Sequence, residues 1–86
     1  MISDDDVRHN VAVNLQSLLD DRDWSQSELA RRSGVWQTNI SRVIREECIP
    51  TVAVLARLAE ALHVSMDRLV AAPPEKIARK KIAQPA

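Results

Sequence analysis

Apolar residues recur along this chain at helical spacing, and nowhere do they alternate as a strand would require. Val7, Val11, Leu15, Leu18 and Leu19 fall on one stripe, because positions three and four apart share a helix face. Ser3 ahead of Asp4, Asp5 and Asp6 predicts where this first helix starts, since acids suit the positive end of the helix dipole. The stripe ends near Asp23. Ser25-x-x-Glu28 has the form of a capping box, flanked by Trp24 and Leu29 at the spacing of a hydrophobic staple. A short second helix then runs to about Ser33. Beyond it Ile40, Val43 and Ile44 share one side of a third helix over about 37–46. Trp36 falls at the same angle one turn before Ile40, which predicts that its ring lies on the core and shields the helix start. Pro50-Thr51 ends one segment and opens a fourth helix carrying Val52, Leu55, Leu58, Ala59 and Leu62. Ser65 caps a brief fifth helix with Met66 and Leu69. The expectation is an all-α, five-helix domain over residues 1–72, closed by Pro73-Pro74. Residues 73–86 form a basic tail, expected to be disordered or a short helix.

The polar side of the third helix is as ordered as its apolar side. At about 100° per residue, Thr38, Arg42 and Arg45 point away from Ile40 and Val43, with Gln37 and Ser41 on one shoulder and Asn39 on the other. The chain has a single glycine, Gly34, so a left-handed backbone comes cheaply at one place only, between the second and third helices. Ala30 supplies a small contact where those helices cross, and Ile40 and Val43 anchor the helix that follows. Two helices joined this closely form a helix-turn-helix, whose second helix can stand clear of the body and enter a DNA major groove.

Charge and composition refine that picture. Net charge over the 86 residues is zero, which taken alone argues against a polyanionic partner. Its distribution is uneven: −4 over 1–23, +3 over 24–45, −3 over 46–75 and +4 over 76–86. The helix-turn-helix and the tail are therefore the positive blocks, and the local field is what a partner meets. About 45% of the chain is apolar without a Phe or Tyr, so the core must be built from close-packed aliphatic side chains. Lone Cys48 forms no internal disulfide, and with His9 and His63 it offers no zinc spacing. No nucleophile–base pair or phosphate loop appears, so neither an enzyme nor a cofactor is expected. No apolar run is long enough to span a membrane, and the acidic first residues are unlike a signal peptide. A cytoplasmic protein is the expectation.

From about Val7 to Val70, roughly three-quarters of its length, the chain resembles the lambda-repressor-like (Xre/Cro-type) DNA-binding domains. The carrying segments are Trp24-Ser-Gln-Ser-Glu-Leu-Ala-Arg-Arg-Ser-Gly-Val, Ile40-Ser-Arg-Val, Pro50-Thr, and Leu58-Ala-Glu-Ala-Leu-His-Val-Ser-Met-Asp-Arg-Leu69. The resemblance implies a sequence-specific transcriptional regulator, more often a repressor, that binds double-stranded DNA as a homodimer. It places Gln37, Thr38 and Arg42 at base edges and Gln26 and Arg45 at phosphates. Trp36, Ser41 and Asn39 lie near enough to be further DNA contacts. The side-chain chemistry agrees: Gln pairs with adenine, Arg with guanine, and a Thr methyl meets a thymine methyl. No small-molecule effector is expected within these residues.

Three departures from the family pattern matter. Trp36 replaces the usual Ser or Thr at the start of the recognition helix; besides the core, it has a sugar or a thymine methyl as an alternative neighbour. Leu19 and Ile44 stand where many members pair an Arg with a Glu, a joint loss that packed hydrophobes can compensate; the two are expected to touch. Glu46, Glu47, Cys48 and Ile49 replace a glycine and basic residues. Either the two acids point away from DNA, with the third helix continued by a turn, or DNA affinity is modest; the absent glycine favours the longer helix. Candidates for a dimer surface are Leu69, Val70, Cys48 and Ile49. Two other functions fit the pattern: an antitoxin that represses its own operon, or a protein-interaction module that has lost DNA binding.

Overall fold

Five helices make up the described part of the chain, residues 2–73 of a computed structural model: α1 (Asp4–Arg22), α2 (Gln26–Ser33), α3 (Gln37–Ile44), α4 (Val52–Leu62) and α5 (Met66–Val70). Among the described residues there is no strand. The basic tail, Pro73 apart, lies outside the described residues.

Four of the five helices begin on a hydroxyl residue that accepts from the backbone N–H three positions on: Ser3 from Asp6, Ser25 from Glu28, Thr51 from Val54 and Ser65 from Arg68. Each bond satisfies a donor that the helix itself leaves free. At α1 the capping box is complete, because the Asp6 carboxylate accepts in turn from the Ser3 N–H at 3.1 Å. At α2 it is only half formed, against expectation. Glu28 turns outward to Arg31 and Arg32, two charged donors that compete successfully with one backbone N–H.

Gly34 ends α2 at φ +76°, its N–H bonded to the Ala30 carbonyl at 2.9 Å. A Cβ there would meet nothing within 4 Å, so the turn needs glycine for its backbone angle and not for space. Three other helices end just as left-handed without glycine, at Asp23 (φ 57°), Glu46 (φ 62°) and His63 (φ 59°). In each case the following N–H returns to the last turn: Trp24 to Leu19, Glu47 to Arg42 and Val64 to Ala59, at 2.9–3.0 Å. These are Schellman closures. The closure at Glu46 stops α3 at Ile44, so the expected extra turn is not formed.

The core joins Val11, Leu15, Leu18 and Leu19 of α1 to Leu29 of α2 and to Ile40 and Val43 of α3. It is completed by Leu55, Leu58, Ala59 and Leu62 of α4 and Leu69 of α5. α1 packs on α3 and α5, and α2 packs on α3 and α4. Trp24, Ala30 and Ile44 lie half-buried against this cluster, so Leu19 and Ile44 share one core. Val52, placed by periodicity on the inner stripe of α4, is instead 71% exposed; as the first residue of its helix it precedes the turn that docks. Leu69 is fully buried and so is removed from the dimer-surface candidates.

Polar clasps lock the two ends. Asn14, buried on α1, donates from Nδ2 to the carbonyls of Leu69 (2.8 Å) and Ala71 (2.7 Å), and Asn10 donates to that of Val70. These carbonyls lie at the end of α5, where a helix has no acceptors' partners of its own. Arg22 performs the same service for α4 and α1, donating to Leu62 (2.6 Å) and Leu18 (3.2 Å). Its guanidinium and that of Arg32 also lie over the Trp24 ring, 5.9 and 4.3 Å from its centroid. No described helix is long and apolar enough to cross a membrane.

Candidate nucleic-acid interface

Burial of Ile40 and Val43 fixes the rotation of α3 about its axis. With those two residues inward, Gln37, Thr38, Asn39, Arg42 and Arg45 are all exposed and Ser41 is half-buried. The face that periodicity assigned to the outside is outside.

Two bonds across the turn tie this face to α2. Ser27 Oγ donates to Gln37 Oε1 at 2.9 Å, and Ser41 Oγ donates to Gln26 Oε1. Each serine occupies the acceptor end of a glutamine amide. The Nε2 donors of Gln26 and Gln37 have no hydrogen-bond partner among the described residues, so each glutamine is oriented and still has its N–H groups to give. A phosphate oxygen or adenine N7 accepts such a donor. Sequence reasoning named both glutamines, and named Ser41 as a DNA contact rather than as the residue that orients Gln26. It missed Ser27, which lies one turn ahead of the crossing and carries no motif.

Arg42 has no side-chain hydrogen bond or ion pair among the described residues. Arg45 does: its Nε lies 3.2 Å from Glu47 Oε2, and Nη2 donates to Oε1 at 3.4 Å. Glu47 thus covers the Arg45 guanidinium. Glu46 is drawn the other way, its carboxylate 3.1 Å from His9 Nδ1 on α1. Both acids that replace the family's basic loop are therefore engaged, one beside the interface and one behind it. On α2, the guanidiniums of Arg31 and then Arg32 hold the Glu28 carboxyl below its ordinary value, neutralising the one acid within the positive segment.

Trp36 is 78% exposed, which overturns the expectation that it shields the helix start on the core. It precedes α3 as its cap residue with φ −58° and ψ 138°, so it is not in helical register. The rotation of about 100° between successive helical residues does not extend back to a cap residue.

A short helix, a left-handed glycine turn and a second helix standing with one polar face free define a helix-turn-helix protein. Comparison with known proteins agrees: residues 15–69 match the helix-turn-helix family HTH_3. The chain is 35% identical to control protein C.SmaI of Serratia marcescens over 65 residues, which cover 76% of this chain and 77% of that one. It is 33% identical over 63 residues to the HTH-type transcriptional regulator SutR of Escherichia coli, covering 73% of this chain but only 35% of SutR. It therefore spans about a third of SutR's length. The crystal structure of a hypothetical transcription factor from Neisseria superposes with a TM-score of 0.77 at 29% identity, over 92% of this chain and 91% of that one. This chain belongs to the lambda-repressor-like helix-turn-helix family and is a DNA-binding transcriptional regulator.

Proposed function

We propose that the chain binds double-stranded DNA in the cytoplasm as a homodimer and represses transcription by occupying its operator. The observation that carries this reading is the solvent-facing row Gln37, Thr38 and Arg42 on a helix anchored by buried Ile40 and Val43. In this reading α3 enters the major groove, and those three side chains read base edges. Gln26 and Arg45 hold phosphates, which fix the register of the helix on the duplex. Ser41, committed to Gln26, contributes chiefly by positioning; Asn39, exposed on the far shoulder, borders the contacted strand. A dimer places two such helices about 34 Å apart, in successive turns of one groove face. Ile49, 40% exposed beside half-buried Cys48, is an apolar surface suited to a second copy.

Selection of bound duplexes from a random pool, at two salt concentrations, tests this reading. The expected product is a partly palindromic site whose affinity falls with salt at a log–log slope of about −5, for roughly six phosphates contacted. Recovery of no sequence at low salt would leave the fold as a protein-interaction module and end the proposal.

A further inference from the structure

Trp36 breaks two local rules at once. It is the most exposed of the large hydrophobic side chains among the described residues, and α3 is the one described helix whose first residue is preceded by no capping side chain. A serine here would close the helix start as Ser3, Ser25 and Ser65 do elsewhere. Nothing in the fold gains from the indole: Trp24 lies under two guanidiniums, whereas Trp36 has no such neighbour. Where a sequence forgoes both a cap and burial at one position, the compensation is expected outside the folded chain.

The surroundings say what that outside surface is. Trp36 immediately precedes Gln37 and Thr38, in a segment carrying a net charge of +3. The positive field selects a polyanion, and the indole needs an apolar spot upon it. In the major groove the apolar group on a base edge is the thymine C5-methyl. Resting on the DNA-reading role proposed above, we infer that Trp36 is a specificity-determining residue that packs against a thymine methyl at the margin of the site read by Gln37 and Thr38.

The test replaces each thymine of the selected duplex, one at a time, by deoxyuridine, which removes the methyl alone. The wild-type protein is expected to lose about fourfold in affinity at one position per half-site, the worth of one buried methyl. Trp36→Ala should bind more weakly and be indifferent to that replacement. Trp36→Ser should show the same indifference while raising Tm by about 4–8 °C through the restored cap. The inference is overturned if no replacement affects the wild type, or if Trp36→Ala keeps the full sensitivity, which would assign the methyl to Thr38. A fall in Tm for both variants would likewise make the indole structural. Failure of the DNA-reading role itself looks different, since no duplex is then retained by any of the proteins.

Discussion

Ser27 Oγ sits 2.9 Å from Gln37 Oε1 and donates to it across the turn between α2 and α3. The bond is made by an exposed pair, so it adds little to stability. What it does is fix the plane of the Gln37 amide, which in the proposed role is ordered before DNA arrives, an ordering that otherwise costs affinity on binding. Ser27→Ala should therefore leave Tm nearly unchanged yet relax discrimination at the same base position that Gln37→Ala relaxes. A double-mutant cycle read by binding should give a coupling of about 0.5–1.5 kcal/mol. Additive losses would separate the two residues.

If Arg45 holds a phosphate as proposed, Glu47, paired with it at 3.2 Å, competes with DNA for it. Both partners of the pair are substantially exposed, so its worth is small, about 0.2–1 kcal/mol. Glu47→Gln should accordingly tighten binding to all sequences, by up to about fivefold. The gain should vanish in an Arg45→Ala background. Equal tightening in both backgrounds would show that Glu47 acts through general repulsion of phosphate and not through Arg45.

Asn14 is fully buried and holds two carbonyls at the end of α5. Asn14→Ala leaves them without those donors and should destabilise the fold by about 1–3 kcal/mol, measured by urea or thermal unfolding. Asn10→Ala, which loses one longer bond of 3.2 Å at a less enclosed position, should cost less. The reverse order would make the Asn10–Val70 bond, and not the Asn14 pair, the main polar tie to α5.

Acid should loosen α2 through Glu28. Its carboxyl lies below the ordinary value of 4.5 because of Arg31 and then Arg32. A carboxylate depressed in the folded chain contributes stability that is present above the unfolded value and lost as pH falls through the folded one. The Tm of the wild type should therefore drop more steeply below about pH 4.5 than that of Glu28→Gln. Identical slopes would remove Glu28 from the acid response.

What was legible in the chain was what periodicity and capping chemistry encode. The inward stripe Leu15, Leu18, Ile40, Val43, Leu58 and Leu62 is buried as its spacing requires, and Ser25, Gly34 and Thr51 bound their helices. Legibility failed where a residue lay just outside a helix or where tertiary partners competed. Trp36 and Val52 were rotated by a helical rule that does not govern a cap or a first turn. Glu46 adopts a left-handed angle that its side chain does not favour, because two backbone bonds and His9 hold it there. Asn10 and Asn14 gave no motif, since their acceptors lie 55 to 60 residues away.

The central claim is that the free face of α3 reads base identity, and Arg42 measures it most directly, being exposed and without an intramolecular partner among the described residues. Binding of wild type and Arg42→Ala should be compared on the selected duplex and on every single-base variant of it. The account predicts a loss of about 1–3 kcal/mol on the selected duplex, with discrimination abolished at one base pair per half-site and kept at the others. A uniform weakening across all variants, with the preference at every position intact, would contradict it.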